Sequence, residues 1–168
     1  MELYAPVIER FLLELPRWEG PVRHLYLDSE GNMTIGYGLL LRSPADAMGL
    51  GLVFPRDPTR RVVLTDIQHD WNAITSGGAR GAAAAASVTL LRLTPAGLIS
   101  SARNKILAVV RALRNRGFRD IGVWPADAQL GVLIMAWGLG VDRLSREYTD
   151  FKDACAAQDW ERAAREAH

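Results

Sequence analysis

A glycine-rich segment close to the amino terminus restricts the fold of this chain more than any other feature. Residues 28–38 read Asp-Ser-Glu-Gly-Asn-Met-Thr-Ile-Gly-Tyr-Gly and follow the short β-like run 25–27. The pair Gly31-Asn32 suits a turn position that needs a positive φ, and residues 33–37 form a second β-like run. The segment therefore predicts a β-hairpin, which is the one β element that the sequence clearly indicates.

Apolar residues at helical spacing predict most of the other elements. The first helix is interrupted by Pro16, and one further turn carries Trp18 and Glu19. The stretch 130–137 is apolar nearly all round, which predicts a buried central helix. The helices after the hairpin are expected to begin near Ser43, Thr65, Thr94, Pro125, Thr149 and Trp160.

These elements predict an α+β fold that is mostly helical. We expect a single domain over 1–168, with a small lobe around the hairpin and a larger helical lobe joined to it by a long helix. A hydrophobic content of 49% is sufficient for a core. Because Cys155 is the only cysteine, no disulfide can form within the chain, and packing must stabilise it.

Charge and hydropathy exclude several classes of protein. The formal net charge is +1 and the sequence pI is about 8.0, which is too neutral for a dedicated nucleic-acid binder. The longest apolar run, 130–139, is too short to cross a bilayer. The first residues lack the basic and apolar regions of a secretory signal peptide. We therefore expect no nucleic-acid partner and no membrane insertion.

Two carboxylates and a hydroxyl surround the predicted hairpin. Glu19 ends the first helical segment, Asp28 begins the turn, and Thr34 lies on the return strand. Partial desolvation beside Trp18 favours a protonated Glu19, whereas polar surroundings keep Asp28 ionised. Glycoside hydrolysis requires one proton donor and one carboxylate, and a hydroxyl can orient the attacking water. Taken singly, the same residues fit a solvated helix end, an Asx turn and an ordinary strand position.

The segment 18–38 resembles the catalytic region of the phage-type lysozymes, the T-even phage endolysin family. Members of that family carry a Glu-Gly pair at the end of the first helix, followed by Tyr-x-Asp-Thr-Glu-Gly-x-x-Thr-Ile-Gly-x-Gly. Here the second stretch reads Tyr-Leu-Asp-Ser-Glu-Gly-Asn-Met-Thr-Ile-Gly-Tyr-Gly over 26–38. The resemblance implies a lysozyme-like fold, with Glu19 as the general acid, Asp28 as the second carboxylate and Thr34 helping to hold the water.

The rest of the chain resembles this family less specifically. Weaker similarities lie at 133–140 and 159–164, whereas 51–93 matches nothing in the family and is expected to line part of the cleft. Leu39 follows the last hairpin glycine, where family members often have a histidine. That difference is expected to remove a structural ion pair and not a catalytic group.

The resemblance implies a muramidase that cleaves the β-1,4 bond between N-acetylmuramic acid and N-acetylglucosamine in peptidoglycan. Besides the three catalytic candidates, we expect Trp18, Tyr37 and Gly38 to contact the glycan strand, and we expect no metal or cofactor. Two other hypotheses stay open. One is a non-catalytic peptidoglycan-binding or structural domain of a phage tail or a secretion effector. The other is a chitin-type glycosidase on the same fold.

Other polar and aromatic residues have simpler interpretations. His24 lacks a second His or Cys at ligand spacing, so a metal site is not expected there. His69 and Asp70 are interpreted as a solvated pair and not as a catalytic dyad. Cys155 is expected to be a buried structural thiol. Of the five tryptophans, Trp18 is assigned to the cleft and the others to the core.

A wall hydrolase without a signal peptide must reach its substrate through other machinery. We expect synthesis in the cytoplasm and action in the periplasm or cell wall of a target bacterium, as a phage endolysin, a phage-tail lysin or a secretion effector. The sequence ends at His168 within a predicted helix, which favours a domain excised from a longer polypeptide. Expected partners are peptidoglycan strands and, for an effector domain, an immunity protein and the delivery machinery.

Overall fold

The computed structural model describes residues 3–78 and 80–167, which form helices and two small antiparallel sheets. The predicted α+β, mostly helical class is confirmed. The strands are β1 Val22–Leu27, β2 Met33–Gly36, β3 Leu39–Leu40, β4 Leu52–Val53 and β5 Arg92–Leu93. The α-helices are α1 Ala5–Trp18, α2 Leu64–Gly77, α3 Ala82–Val88, α4 Pro95–Asn115, α5 Ala126–Leu139, α6 Val141–Glu147, α7 Thr149–Ala156 and α8 Trp160–Glu166. Short 3₁₀ helices span Pro44–Ala47 and Ile121–Val123.

The chain divides into two compact units. The sheet unit is Pro16–Lys105, and the helical unit combines Met1–Leu15 with Ile106–His168. The sheet unit is the longer one, whereas the sequence suggested a small lobe around the hairpin. The reason is that 51–93, which the sequence left unplaced, folds into this unit as β4, α2, α3 and β5.

The first sheet of the sheet unit is built on the predicted hairpin. Its strand order is β1-β2-β3, with Tyr26 opposite Thr34 and a bulge between Val22 and Tyr26. The second sheet, which the sequence did not predict, pairs β4 with β5. The two-residue length of β4 and β5 explains why no alternating pattern revealed them. The core of the unit contains Leu25, Met33, Ile35, Leu41, Leu50, Leu52, Phe54, Ile67, Ile74, Leu91 and Leu93.

Pro16 does not interrupt the first helix, so that part of the sequence prediction is wrong. Helix α1 continues through Pro16 to Trp18. A proline removes one backbone donor, and here the loss falls in the last turn, where the helix ends two residues later. As a result Trp18 is the last residue of α1, and Glu19 follows it directly.

In the helical unit, α5 is buried on one side only, which corrects the prediction of a helix buried all round. Leu133 is fully buried, but Ile134 is 38% exposed. The open side of α5 and the helices α7 and α8 line an apolar groove of about 590 Å³. None of the helices among the described residues combines the length and the apolar character that crossing a bilayer requires.

Candidate active site

Glu19 occupies the short connection between α1 and β1. It is half-buried, and only Gly20 and Pro21 separate it from the first strand. Within the described part of the chain, the Glu19 carboxylate forms no hydrogen bond. Its two oxygens are therefore available to a ligand.

The charge of the Glu19 carboxylate contributes to the pKa shifts of three ionisable groups in the sheet unit. Burial is the main cause that raises the pKa of Tyr26 and of Tyr37, and the charge of Glu19 raises both further. Burial lowers the pKa of Lys105, and the charge of Glu19 opposes that shift. Charges at partly solvated sites act in this way only over short distances. The charge of Glu19 therefore reaches Tyr26 on β1, Tyr37 in the turn between β2 and β3, and Lys105 on α4.

The charges of both candidate carboxylates affect the pKa of Tyr26. After burial, the charge of Asp28 is the next cause that raises the pKa of Tyr26, followed by the charge of Glu19. Tyr26 lies on β1, and Asp28 follows the end of that strand at Leu27. The sheet unit thus brings Glu19 and Asp28 into the neighbourhood of one phenol.

Asp28 holds the hairpin turn with its own carboxylate. Its Oδ1 accepts hydrogen bonds from the backbone nitrogens of Glu30 at 3.0 Å and Asn32 at 2.8 Å. Its Oδ2 accepts a longer bond, 3.3 Å, from Nδ2 of Asn32. This is the Asx turn that was the simpler interpretation of Asp28. A carboxylate has about four acceptor positions, so Asp28 keeps capacity for one more donor such as a water.

Thr34 lies opposite Tyr26 in the pairing of β1 with β2, and its side chain is buried. Opposed residues of an antiparallel pair share one face of the sheet. The Thr34 hydroxyl donates a 3.1 Å hydrogen bond to the carbonyl oxygen of Asn32. The residue is only 1% exposed. Its oxygen keeps lone pairs that can accept from a further donor.

Two hairpin glycines allow α4 to approach the first sheet closely. Gly36 has a φ of 67° and Gly38 a φ of 76°, a region that strongly favours glycine. A Cβ atom on Gly36 would collide with the hydroxyl of Ser101, and one on Gly38 would lie 2.9 Å from Nζ of Lys105. The glycines of the motif therefore provide the space that two side chains of α4 occupy.

Lys105 ties α4 to the turn between β2 and β3. Its ammonium group donates a 2.9 Å hydrogen bond to the carbonyl oxygen of Tyr37. The side chain is half-buried. This contact places a cation directly beside Tyr37 and Gly38, two of the residues that we expected to contact substrate.

The three expected substrate-contact residues differ in accessibility. Trp18 is 47% exposed, so its ring can stack on a sugar. Tyr37 and Gly38 are half-buried. The remaining tryptophans include Trp124 and Trp137, both of which are buried in the helical unit.

Asp70 is buried, which corrects the interpretation of a solvated His69–Asp70 pair. Its oxygens accept hydrogen bonds of 2.9 and 3.0 Å from the backbone nitrogen of Leu90 and one of 2.9 Å from that of Leu91. His69 is exposed, and its Nδ1 lies 3.5 Å from Oδ1 of Asp70. Asp70 therefore attaches the segment before β5 to α2 and has a structural role.

The described residues contain no group of three or more His, Cys, Asp or Glu that could hold a metal ion. The ring of His24 forms a hydrogen bond of 2.8 Å with the carbonyl oxygen of Ala82. Cys155 is buried, as expected from the sequence, and burial raises the pKa of its thiol to about 11.

Sequence reasoning missed Tyr26 and Lys105 as neighbours of Glu19. Tyr26 lies inside the hairpin motif, but no role was assigned to it. Lys105 is one of only two lysines among 20 basic residues, and that rarity was the one signal in the sequence. Because Lys105 lies far from Glu19 along the chain, the sequence did not indicate that the two charges interact.

Comparison of the chain with protein-family models, with curated proteins and with solved structures found no match.

Proposed function

We propose that this chain is a glycoside hydrolase, a muramidase that cleaves the β-1,4 bond between N-acetylmuramic acid and N-acetylglucosamine in bacterial peptidoglycan. Glu19 is the general acid, and Asp28 and Thr34 position the water. Trp18, Tyr37 and Gly38 contact the glycan strand. The proposal extends the resemblance of the hairpin segment to the phage-type lysozymes.

The observation that carries the proposal is the position of Tyr26, which lies opposite Thr34 in the pairing of β1 with β2 and within reach of the charges of Asp28 and Glu19. Its pKa is raised by burial, then by Asp28, then by Glu19. Two carboxyl groups near one another are the minimal equipment for hydrolysing a glycosidic bond.

The surroundings of the two carboxylates suit different chemical roles. Asp28 is held by three hydrogen bonds from the turn, so its position is fixed before substrate binds. Glu19 is half-buried and has no hydrogen-bond partner among residues 3–78 and 80–167. A carboxyl group without a hydrogen-bond partner can turn towards a leaving oxygen, and a carboxylate held by the turn is suited to orient a water.

A second candidate function is non-catalytic binding of peptidoglycan. It is favoured by the structural engagement of Asp28 in the turn and by the burial of Thr34, whose hydroxyl already donates to Asn32. Under this hypothesis the motif maintains the hairpin, and Trp18 and the glycine turn provide a surface for the glycan.

Release of reducing ends from purified peptidoglycan, with mass spectrometry of the fragments, tests the proposal. The wild type should produce fragments that end in N-acetylmuramic acid. Glu19→Gln keeps the shape of the side chain but cannot donate the proton, so the rate should fall by about 10²–10⁴-fold. Glu30→Gln is the matched control, because Glu30 is exposed in the same hairpin, and it should retain the wild-type rate.

The two candidate functions give different results in a sedimentation assay with insoluble peptidoglycan. Binding without release of fragments by the wild type supports the non-catalytic function. Release by Glu19→Gln at the wild-type rate contradicts the assignment of the acid. Chitin oligomers in the same assay separate a muramidase from a chitin-type glycosidase.

The setting that fits this activity is the periplasm or cell wall of a target bacterium, reached by a phage or by a delivery machine. An effector domain of this kind would have a matching immunity protein as its partner.

A further inference from the structure

Asn32 lies in the hairpin turn and forms hydrogen bonds to both groups that are proposed to hold the water. We propose that Asn32 is a positioning residue, which joins the Asp28 carboxylate to the Thr34 hydroxyl and sets the direction in which that hydroxyl donates. This inference rests on the proposed function, because it concerns how the same site prepares its water for attack.

The backbone of Asn32 connects the two groups through one N–H and one carbonyl. The nitrogen donates a 2.8 Å hydrogen bond to Oδ1 of Asp28. The carbonyl oxygen accepts from the backbone nitrogen of Asp28 at 3.0 Å and from the Thr34 hydroxyl at 3.1 Å. A carbonyl oxygen has two lone pairs, so these two bonds use both. Asp28 and Thr34 are therefore attached to the same oxygen atom, and a shift of either residue costs a bond to Asn32.

The side chain of Asn32 contacts the carboxylates of the turn and is not demanded by the backbone. Gly31 has a φ of 86°, whereas the φ of Asn32 is not positive, so this position does not select asparagine for its conformation. Its Nδ2 donates to Oδ2 of Asp28 at 3.3 Å and to Oε2 of Glu30 at 3.5 Å. Both backbone bonds to the Asp28 carboxylate fall on Oδ1. The amide thus supports Oδ2, the oxygen with more free acceptor capacity.

The bond from Thr34 to Asn32 determines how the hydroxyl can meet a water. A hydroxyl has a single proton, and Thr34 donates it to the Asn32 carbonyl, so the remaining lone pairs of its oxygen can only accept. An ionised carboxylate such as Asp28 can also only accept. A water held by both groups must therefore donate both of its hydrogens, which leaves an oxygen lone pair for the anomeric carbon.

The reaction then balances with the groups already assigned. The water oxygen forms a bond to the anomeric carbon while the bond from that carbon to the glycosidic oxygen breaks. Glu19 gives its proton to the leaving oxygen, and Asp28 takes the proton that the water loses. Thr34 keeps its proton on the bond to Asn32, so the hydroxyl orients the water without exchanging a proton with it.

The first test removes the side-chain amide with Asn32→Ala, which keeps both backbone bonds. Because Asn32 is exposed, Tm should change by about 2 °C or less. The kcat for release of reducing ends from peptidoglycan should fall about tenfold with KM within about twofold, since Asp28 is less firmly placed. Glu30→Ala is the matched control. It truncates an exposed neighbour whose nitrogen also bonds to Asp28, and it should retain the wild-type kcat.

The second test replaces the amide donor by a charge. Asn32→Asp keeps the shape of the side chain but places a carboxylate beside Asp28. An added negative charge favours the protonated form of a neighbouring carboxyl group, so the acid limb of the pH–rate profile should move to higher pH. Asn32→Ala adds no charge and should move the limb less. Asn115→Asp is the control for the charge itself, because Asn115 ends α4 in the helical unit, and it should leave the limb in place.

The outcomes separate this inference from the proposed function. Wild-type kcat in Asn32→Ala overturns the inference while the proposed function stands. If Asn32→Ala does not fold, Asn32→Asp decides, and an acid limb that stays in place would show that Asn32 only maintains the turn. A wild type that releases no fragments refutes the proposed function instead, and the role of Asn32 in the reaction is refuted with it.

Discussion

The Oδ1 atom of Asp28 lies 2.8 Å from the backbone nitrogen of Asn32, and this hydrogen bond closes the hairpin turn. A second bond, from the nitrogen of Glu30 at 3.0 Å, reinforces it. In the proposed enzyme Asp28 therefore makes two contributions, one to the turn and one to the chemistry. An amide oxygen can replace the carboxylate in the turn but not in the chemistry, so the two contributions can be separated.

Asp28→Asn should retain the fold and lose activity. The amide oxygen can accept the same two backbone bonds, so the free energy of unfolding should change by about 1 kcal/mol or less. Hydrolysis of peptidoglycan should fall by about 10²-fold or more, because the carboxylate that positions the water is lost. Asp46→Asn is the control, since Asp46 also accepts two backbone bonds, from Arg42 at 2.7 Å and Ser43 at 3.1 Å. Full activity in Asp28→Asn would leave Asp28 with its turn role alone.

Gly36→Ala should destabilise the sheet unit more than Gly31→Ala does. Both glycines have a positive φ, 67° and 86° respectively, so an alanine at either is strained by about 1 kcal/mol. An added Cβ at Gly31 meets nothing within 4 Å, whereas at Gly36 it collides with the Ser101 hydroxyl. Urea unfolding should therefore show a larger loss for Gly36→Ala. Equal losses would mean that α4 does not pack against the hairpin as described.

Asp70→Asn should lower the free energy of unfolding by about 1–3 kcal/mol. Asp70 is fully buried and accepts from Leu90 and Leu91. An asparagine has one acceptor oxygen, and its amide donors would be buried where the aspartate had none. Asp57→Asn is the comparison, because Asp57 is exposed and accepts from the Thr59 hydroxyl at 2.7 Å. A shift no larger than that of Asp57→Asn would contradict the buried role of Asp70.

Cys155 should report unfolding of the helical unit. Burial raises the pKa of its thiol from 9.0 to about 11, so the native thiol is protonated and inaccessible at pH 8. A thiol reagent should label it slowly in the native state and rapidly in denaturant.

The neutral thiol contributes stability below about pH 9, and this contribution is lost as the pH rises towards 11. Cys155→Ala should remove that alkaline dependence, and rapid labelling of native protein at pH 8 would show that the thiol is exposed.

The hairpin and the long helices could be predicted because their signals are local. A turn with Gly31, the alternation around it, and the Thr94 cap before α4 are properties of consecutive residues. The predicted Thr65 cap was wrong, because α2 begins at Leu64 after Val63. The sheet of β4 and β5 could not be predicted, since two-residue strands have no period and Leu52 meets Leu93 only through tertiary structure. Asp70 was misjudged for the same reason, because its partners Leu90 and Leu91 lie beyond α3.

The candidate site shows the same division between local and tertiary information. Glu19, Asp28 and Thr34 stand close together in sequence, so they could be proposed as a site from their spacing alone. Lys105 approaches only because Gly36 and Gly38 admit α4, and no residue pattern near Lys105 indicates that approach. The glycines of the motif thus predicted a turn correctly but did not reveal which helix packs against it.

Thr34 determines the expected stereochemistry of the reaction. A water held by Asp28 and Thr34 on the face opposite the leaving group would attack directly and invert the anomeric centre. NMR of the first product from a β-linked glycan should therefore show the α anomer. Thr34→Ser keeps a hydroxyl and should retain activity, whereas Thr34→Val keeps the shape and should lose most of it. The valine also loses the 3.1 Å bond to Asn32, which costs about 1 kcal/mol and is checked by thermal unfolding. If the wild type forms only the β anomer, the water-holding role of Thr34 is wrong, and hydrolysis would proceed through a covalent intermediate on Asp28.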